Sequence, residues 1–271
     1  MFYIKTSLIP REIAVSHFTD GTLKLKCPIP EKILAGDKLD ATIIWRYESE
    51  EELSTLIQLT LHLRDHCIQD ITLNMPYLPN ARQDRVQNNE DVFTLKHFAK
   101  VINWLNFTQV IVLDAHSRVS LALFDRIVNR SPQPYIDEAM KRIGCQGLVT
   151  FFPDEGAMKR YSCSHDYPIA FGMKTRNPET GKVESLEIKG NVEHIKGNNV
   201  LIIDDICAKG DTALRCAQAL KDAGANKVFL FVSHCENTVL NSALIQSDAI
   251  EQIYTTYSIY TGEHPKVSVI M

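Results

Sequence analysis

The stretch Asn199-Val-Leu-Ile-Ile-Asp-Asp-Ile-Cys-Ala-Lys-Gly-Asp-Thr212 decides the fold class of this chain. Its apolar, β-branched run predicts a buried strand over Asn199–Ile203, and apolar residues at helical spacing predict a helix over Thr212–Ala223. Two acids and a short loop that contains Gly210 join the strand to the helix. A buried strand that passes through a glycine-containing loop into a helix is typical of α/β proteins with parallel sheets.

Apolar runs alternate with stretches of helical period along the rest of the chain as well. We therefore predict an α/β protein of two domains, each with a mainly parallel sheet flanked by helices. The prolines and polar residues of the stretch 129–135 favour a division there, into domains 1–133 and 134–271. The other predicted strands are Ala41–Trp45, Ile71–Met75, Gln109–Leu113, Leu148–Phe152 and Lys227–Val232, and the other predicted helices are Glu50–His66 and Phe93–Leu105.

The composition argues against several classes of function. The 271 residues are 45% hydrophobic, which is sufficient for two ordinary domains, and the net charge is only −4 with acids and bases interspersed. We therefore expect no binding to nucleic acid or membranes, and no apolar run approaches the ~20 residues of a bilayer span. The seven cysteines are scattered and form no C-x-x-C pair, so we expect reduced thiols. Since Met1–Pro10 does not resemble a secretory signal, we expect a cytoplasmic protein.

The loop between the strand and the helix has the chemistry of a phosphate site. Unpaired N–H groups and the dipole at the start of a helix favour an anion, and Gly210 lets the backbone approach it. Asp204 and Asp205 can accept hydrogen bonds from neighbouring sugar hydroxyls or reach a hydrated Mg²⁺. Together these features suggest a phosphorylated sugar. In the alternative interpretation, the two acids only solvate the strand end and Thr212 only caps the helix; no Walker A sequence occurs, which argues against a P-loop kinase.

This segment resembles the phosphoribosyl diphosphate-binding motif of the phosphoribosyltransferase superfamily. The resemblance implies that the loop holds the 5-phosphate of the sugar and that Asp204 and Asp205 hold the ribose hydroxyls. The loop residues concerned are Ala208, Lys209, Gly210, Asp211 and Thr212.

Four further segments narrow the resemblance to one branch of this superfamily. They are His17-Phe-Thr-Asp-Gly21, Pro76-Tyr-Leu-Pro-Asn-Ala-Arg-Gln-Asp-Arg85, Val112-Leu-Asp-Ala-His-Ser117 and Phe152-Pro-Asp-Glu-Gly-Ala-Met-Lys-Arg160. In this order they are similar to segments of the ribose-phosphate diphosphokinases, the phosphoribosyl diphosphate synthases. The resemblance implies two phosphoribosyltransferase-like domains and the transfer of a diphosphate from ATP to the C1 hydroxyl of ribose 5-phosphate. It also implies Mg²⁺ as the cofactor and a homo-oligomeric assembly.

The same resemblance assigns roles to individual residues. Lys174 and Arg176 would belong to a catalytic loop that closes over the transferring group. His116 and Asp154 would bind Mg²⁺, with Asp114 left open as a further ligand. Without the resemblance, the same residues would also suit solvated loops, structural histidines and the polar start of a helix. The residues that the resemblance assigns to ATP binding are Phe18, Asp20, Arg82, Gln83, Asp84 and His116.

Some positions depart from the family pattern. Ala208 stands where an acid is usual, Thr22 replaces the acid that usually follows Asp20-Gly21, and Val86–Asp91 differs from the segment associated with regulation by phosphate and ADP. The chain also stops shortly after Val267–Met271, where the family has a longer C-terminal helix. Two alternatives stay open: a phosphoribosyltransferase that uses the same loop, and a catalytically silent relative that regulates a true synthase.

Overall fold

The computed structural model describes residues 1–5, 11–29, 40–162, 167–176 and 183–271, with only the backbone of residues 174–176 and 183–185. It divides into two compact units, Met1–Ser131 and Pro132–Met271. Each unit has a mainly parallel sheet with helices packed on it, so the predicted α/β class is confirmed. Within these residues, no helix is both long enough and apolar enough to cross a membrane.

In the described part of the first unit, three helices pack with a six-stranded sheet. The strands are β1 (Phe2–Lys5), β2 (Arg11–Glu12), β3 (Ala14–His17), β4 (Leu23–Lys26), β5 (Ala41–Trp45), β6 (Ile71–Asn74), β7 (Gln109–Leu113) and β8 (Ile127–Arg130), and the helices are α1 (Glu52–Asp65), α2 (Thr94–Trp104) and α3 (Arg118–Leu123). The sheet has the order β2-β1-β5-β6-β7-β8. Strands β5 to β8 pair in parallel, whereas β1 pairs antiparallel with β2 and β5. Strands β3 and β4 form a separate antiparallel hairpin.

Helices α1 and α2 bury their apolar faces in the core of this unit. In α1, Leu56, Leu59 and Leu63 recur at helical spacing and are fully buried, and Leu95 and Phe98 do the same in α2. Burying each such side chain stabilises the fold by about 1.5–3 kcal/mol. The packing fixes the carboxyl ends of β6 and β7, where polar loops begin.

Among the residues of the second unit that the structure describes, there are a seven-stranded sheet and four α-helices. The strands are β9 (Leu148–Phe152), β10 (Ile169–Arg176), β11 (Val183–Gly190), β12 (Asn199–Cys207), β13 (Val228–Cys235), β14 (Gln252–Thr256) and β15 (Val267–Ile270), and the helices are α4 (Gln133–Ile143), α5 (Glu155–Tyr161), α6 (Asp211–Asp222) and α7 (Ala243–Gln246). The sheet has the order β11-β10-β9-β12-β13-β14-β15 and is parallel except for the antiparallel pair of β10 and β11.

Strand β12 is longer than the sequence predicts. It continues to Cys207, and β13 continues to Cys235, because the two strands keep pairing in parallel as far as these two cysteines. Asp204 and Asp205 therefore lie inside β12 and not beyond its end. Because side chains alternate across a strand, Asp205 is buried while Asp204 is partly exposed.

The prolines of the stretch 129–135 begin a helix. Pro132 is the N-cap residue of α4 and Pro134 lies in its first turn, where the N–H that proline lacks would have no helical partner. Helix α4 therefore starts before the predicted cut after residue 133, and the two units divide between Ser131 and Pro132.

Candidate active site

The loop 208–210 leads from β12 into α6 at the carboxyl end of the parallel strands. Gly210 is the N-cap residue of α6 with a φ of +76°, and a Cβ atom there would lie 2.3 Å from Cδ2 of Leu244. Only glycine satisfies both the backbone angle and the close approach. Helix α6 begins at Asp211, so Thr212 lies in its first turn and is not the cap. Because glycine has no side chain that could cap the helix, the first-turn N–H groups suit an anion.

A buried ion pair lies in β12 just before this loop. Asp205 is only 6% exposed, and its Oδ2 accepts a hydrogen bond of 2.6 Å from Nη1 of Arg160, near the end of α5. Its Oδ1 accepts the backbone N–H of Ile206 at 2.9 Å. Burial opposes the charge of Arg160, but its contacts with Tyr161 and Asp205 outweigh this cost and raise its pKa. Arg160 is therefore a permanent cation against Asp205.

The carboxyl group of Asp204, next to Asp205 in the chain, has an environment that disfavours its charged form. Desolvation and then the charge of Asp205 raise the pKa of Asp204 well above its usual range, with a smaller contribution from the charge of Asp154. The backbone N–H of Asp205 donates to Oδ1 of Asp204 at 3.0 Å and offsets part of this effect. The pair thus combines an acceptor that contacts a cation with a carboxyl that protonates readily, which suits adjacent sugar hydroxyls that both donate and accept.

Asp154 has a structural role at the start of α5. It is the N-cap residue of this helix, and its Oδ1 accepts the backbone N–H of Ala157 at 3.0 Å. Lys159 is exposed and pairs with Glu155 on the same helix at 2.9 Å. The residues that followed β9 in the sequence therefore do form the polar start of a helix, and Asp154 is in addition close enough to influence Asp204.

The predicted catalytic residues Lys174 and Arg176 lie at the end of β10. Their backbone pairs antiparallel with β11, with an irregularity in register between Thr175 and Arg176. Their side chains lie outside the described residues, as do residues 177–181, so the catalytic role stays a prediction.

A second polar cluster lies in the first unit, in the loops that follow β6 and β7. Asp84 is 6% exposed, and its two oxygens accept hydrogen bonds from Nε and Nη2 of Arg85 at 2.7 and 3.2 Å. Arg85 lowers the pKa of Asp84, and although burial opposes this effect, the hydroxyl of Ser117 and the charge of His116 act in the same direction as Arg85. The structure thus brings together Asp84 and His116, which come from two separate segments of the sequence and were both predicted to bind ATP.

The other residues predicted around this cluster differ in exposure. Arg82 and Gln83 are exposed, and Oε1 of Gln83 accepts the hydroxyl of Thr94 at 2.9 Å. Asp114, in contrast, is 3% exposed and has a φ of +44°, a left-handed conformation that costs about 1–3 kcal/mol outside glycine. Its N–H donates to the carbonyl of Arg130 at 3.0 Å, which anchors the turn that leads to His116.

The turn between β3 and β4 carries the predicted adenine contacts. Phe18 is 53% exposed, with Nζ of Lys24 5.2 Å from the centre of its ring. Oδ1 of Asp20 accepts the hydroxyl and the backbone N–H of Thr22 at 2.7 and 2.9 Å, and these bonds lower the pKa of Asp20. Thr22, which departs from the family pattern, thus stabilises the turn that presents Phe18 and Asp20.

Within the described residues, no group of three or more His, Cys, Asp or Glu side chains forms a metal site, and His116 and Asp154 belong to different units. The structure also shows contacts of Arg160, Arg85 and Ser117 with the predicted site residues. These three residues lie in the sequence motifs but had no predicted role. The sequence contains no signal for the partner of Arg160, because an ion pair between residues 45 positions apart leaves no local pattern.

Comparisons with known proteins agree with this architecture. No protein-family model matches the chain. The ribose-phosphate pyrophosphokinase of Thermococcus kodakarensis is 26% identical over 257 residues, which cover 92% of this chain and 86% of that protein. Ribose-phosphate pyrophosphokinase 1 of Listeria monocytogenes serovar 1/2a is 30% identical over 258 residues, which cover 92% of this chain and 78% of that protein.

A solved structure shares the fold. The crystal structure of phosphoribosylpyrophosphate synthetase from Mycobacterium smegmatis matches 96% of this chain and 85% of its own, with a TM-score of 0.78 at 19% identity. The fold is therefore common to both proteins. Given 30% identity over most of both chains, this chain belongs to the ribose-phosphate pyrophosphokinase family.

Proposed function

We propose that the chain transfers the β,γ-diphosphate of ATP to the C1 hydroxyl of ribose 5-phosphate, giving phosphoribosyl diphosphate and AMP. Membership of the family supports this activity. The observation that carries it is the uncapped start of α6 beside the buried acids of β12, which together suit a sugar phosphate.

The second unit would hold the sugar. The loop Ala208–Thr212 would bind the 5-phosphate through backbone N–H groups, with Lys209 adding an exposed positive charge. Asp204 and Asp205 would accept hydrogen bonds from the ribose hydroxyls. Since Ala208 has no carboxylate, the ribose contacts would depend on these two acids more than in relatives with an acid at that position.

The first unit would hold ATP. Arg82 offers a planar fork for phosphate oxygens, and Gln83 offers a donor and an acceptor for a base edge. Asp84 and His116 would orient this cluster, with Arg85 keeping Asp84 ionised. Phe18 and Asp20 would reach the ATP site of a neighbouring copy of the chain from the hairpin turn, where the exposed ring of Phe18 is available for stacking on the adenine.

The donor chemistry of Asp154 fits Mg²⁺. This ion is usually held by one or two carboxylates together with substrate phosphates and water, so a single helix-capping carboxylate is sufficient on the protein side. The resemblance also assigns Mg²⁺ binding to His116 of the first unit, although an imidazole is a less typical donor for this ion. When bound, Mg²⁺ would neutralise charge on the phosphate oxygens of ATP.

In the reaction, the C1 oxygen of the sugar forms a bond to the β-phosphorus of ATP, and the bond from that phosphorus to the oxygen bridging to the α-phosphate breaks. The hydroxyl proton passes to solvent, and AMP departs. The protein would contribute positioning of the sugar and stabilisation of the transferring group by Lys174 and Arg176.

The first test is AMP formation that requires Mg²⁺, ATP and ribose 5-phosphate together. A phosphoribosyltransferase would leave this mixture unchanged but release pyrophosphate from phosphoribosyl diphosphate and a nucleobase. A catalytically silent relative would be inactive in both mixtures. AMP formation that does not depend on ribose 5-phosphate would contradict the proposal.

We further propose a cytoplasmic homo-oligomer. Six cysteines in the described residues are free thiols, which is consistent with a reducing compartment. An exposed Phe18 at the tip of a hairpin suits a contact with a second copy of the chain. Sedimentation of a fully active monomer would contradict the oligomer.

A further inference from the structure

We propose that Arg160 is a positioning residue for ribose 5-phosphate: it fixes and neutralises Asp205 so that the two acids of β12 present the correct acceptors to the sugar. This inference rests on the proposed function, because the sugar is the ligand that Asp204 and Asp205 would hold. It assigns a role to a residue that would not itself contact the sugar.

The geometry of the pair supports a positioning role. Asp205 is almost fully buried, and Nη1 of Arg160 reaches its Oδ2 at 2.6 Å, while the N–H of Ile206 occupies the other oxygen at 2.9 Å. The guanidinium of Arg160 also lies over the ring of Tyr161, 5.6 Å from its centre. With both oxygens engaged, the carboxylate has one orientation in the absence of substrate.

The electrostatics explain why a cation is needed at this place. Asp204 and Asp205 are adjacent in the chain, and Asp205 is close enough to disfavour the charge of Asp204. Arg160 is the charged partner that makes a second buried charge tolerable in β12. Without it, the carboxylate of Asp205 would protonate or turn away from Asp204, and either change would remove an acceptor from the sugar.

Arg160 lies on the same helix as Asp154, the proposed magnesium ligand. Helix α5 packs against β9, β10 and β12, with Asp154 capping its start and Arg160 in its last turn. One short helix thus holds the proposed magnesium ligand at one end and orients a sugar-binding acid from the other. A change at Arg160 should therefore act mainly on the sugar, with a smaller effect on ATP.

The test compares Arg160→Gln, Arg160→Lys and the control Arg142→Gln in steady-state kinetics with each substrate varied. Arg142 also pairs with an acid, Glu138 at 2.8 Å, but on the half-exposed surface of α4. We expect Arg160→Gln to raise the KM for ribose 5-phosphate about tenfold or more, with the KM for ATP within about twofold. Arg160→Lys should recover part of the loss because it restores the charge, and Arg142→Gln should match the wild type.

Two further measurements separate positioning from a general structural effect. Thermal unfolding shows whether each variant is folded at the assay temperature, and Arg160→Lys supplies the comparison if Arg160→Gln is not. In the Asp205→Asn background, Arg160→Gln should change the KM for the sugar little further, because the charge that it neutralises is gone.

Equal rises in both KM values, or full additivity with Asp205→Asn, would overturn the positioning role. If the wild type itself forms no AMP, the proposed function has failed, and that outcome is distinct from an active wild type with an unchanged Arg160→Gln variant.

Discussion

At the scale of single residues, the candidate site depends on side chains whose surroundings set their chemistry. Asp205 and Asp84 are both almost fully buried, and each accepts hydrogen bonds from an arginine. Gly210 has a different constraint, since its backbone angle and the nearness of Leu244 exclude a side chain. These three residues allow quantitative predictions.

Gly210→Ala should destabilise the second unit more than the matched substitution Gly197→Ala. Gly197 has nearly the same φ, +79°, but no atom lies within 4 Å of a Cβ placed there. Both alanine variants should lose about 1–2 kcal/mol from the backbone angle alone. Gly210→Ala should lose about 1–3 kcal/mol more from the clash with Leu244. Chemical denaturation measures both, and equal losses would show that the close approach to Leu244 is not significant.

Asp84→Asn should destabilise the first unit in a pH-dependent way. Since Arg85 lowers the folded pKa of Asp84 below the unfolded value of about 3.9, the stabilisation is complete above that value and is lost as the pH falls through the folded pKa. We expect a loss of about 1–3 kcal/mol at pH 7 that narrows below about pH 4. Thermal unfolding across this range measures the difference, with the exposed Asp125→Asn as a control. A difference in stability between the wild type and Asp84→Asn that stays constant with pH would argue against the ion pair of Asp84 and Arg85.

At the scale of elements, the parallel strands bring the functional residues to their carboxyl ends. Strand β12 supplies the acids, α6 supplies uncapped N–H groups, and α5 connects Asp154 to Asp205 through Arg160. Each of these elements also has an ordinary structural reason to exist. The structural and the functional contribution of a residue can be separated by choosing substitutions that remove only one of them.

The variants Asp154→Asn and Asp154→Ala separate the capping of α5 from the proposed binding of Mg²⁺. Asparagine caps a helix about as well as aspartate, so Asp154→Asn should keep the stability of α5, whereas Asp154→Ala should lose about 1 kcal/mol. Both should lose Mg²⁺-dependent activity if the carboxylate binds the ion. Melting temperatures and activity against Mg²⁺ concentration test this. An Asp154→Asn variant with wild-type activity would restrict Asp154 to capping.

The bounds of the strands and helices show how much of the fold can be predicted from the sequence. Strands β5, β7 and β9 have the predicted bounds because each is a largely apolar run followed by a residue that ends it, polar after β5 and β7 and Pro153 after β9. Strand β12 is longer than predicted because pairing with β13 continues through two acids, which a local pattern treats as a strand end. Prolines that indicate a break also suit the first turn of α4. Long-range pairs such as Arg160 with Asp205 require the folded structure.

At the scale of the whole molecule, two units of similar architecture each have their own sheet and core. The net charge of −4 offers no general attraction for anionic substrates, so the proposed recognition of phosphate depends on local groups, at the start of α6 and at arginines such as Arg82. Matched segments along the whole chain, together with 30% identity to a relative, therefore identify the family better than any single motif.

The most direct measurement is ³¹P NMR spectroscopy of the protein mixed with ATP, Mg²⁺ and ribose 5-phosphate, alongside a Lys174→Ala/Arg176→Ala variant. We expect signals of AMP and of a sugar-linked diphosphate to appear together in the wild type and to be absent from the variant. ATP and ribose 5-phosphate that remain unchanged with the folded wild-type protein would contradict the proposed diphosphate transfer.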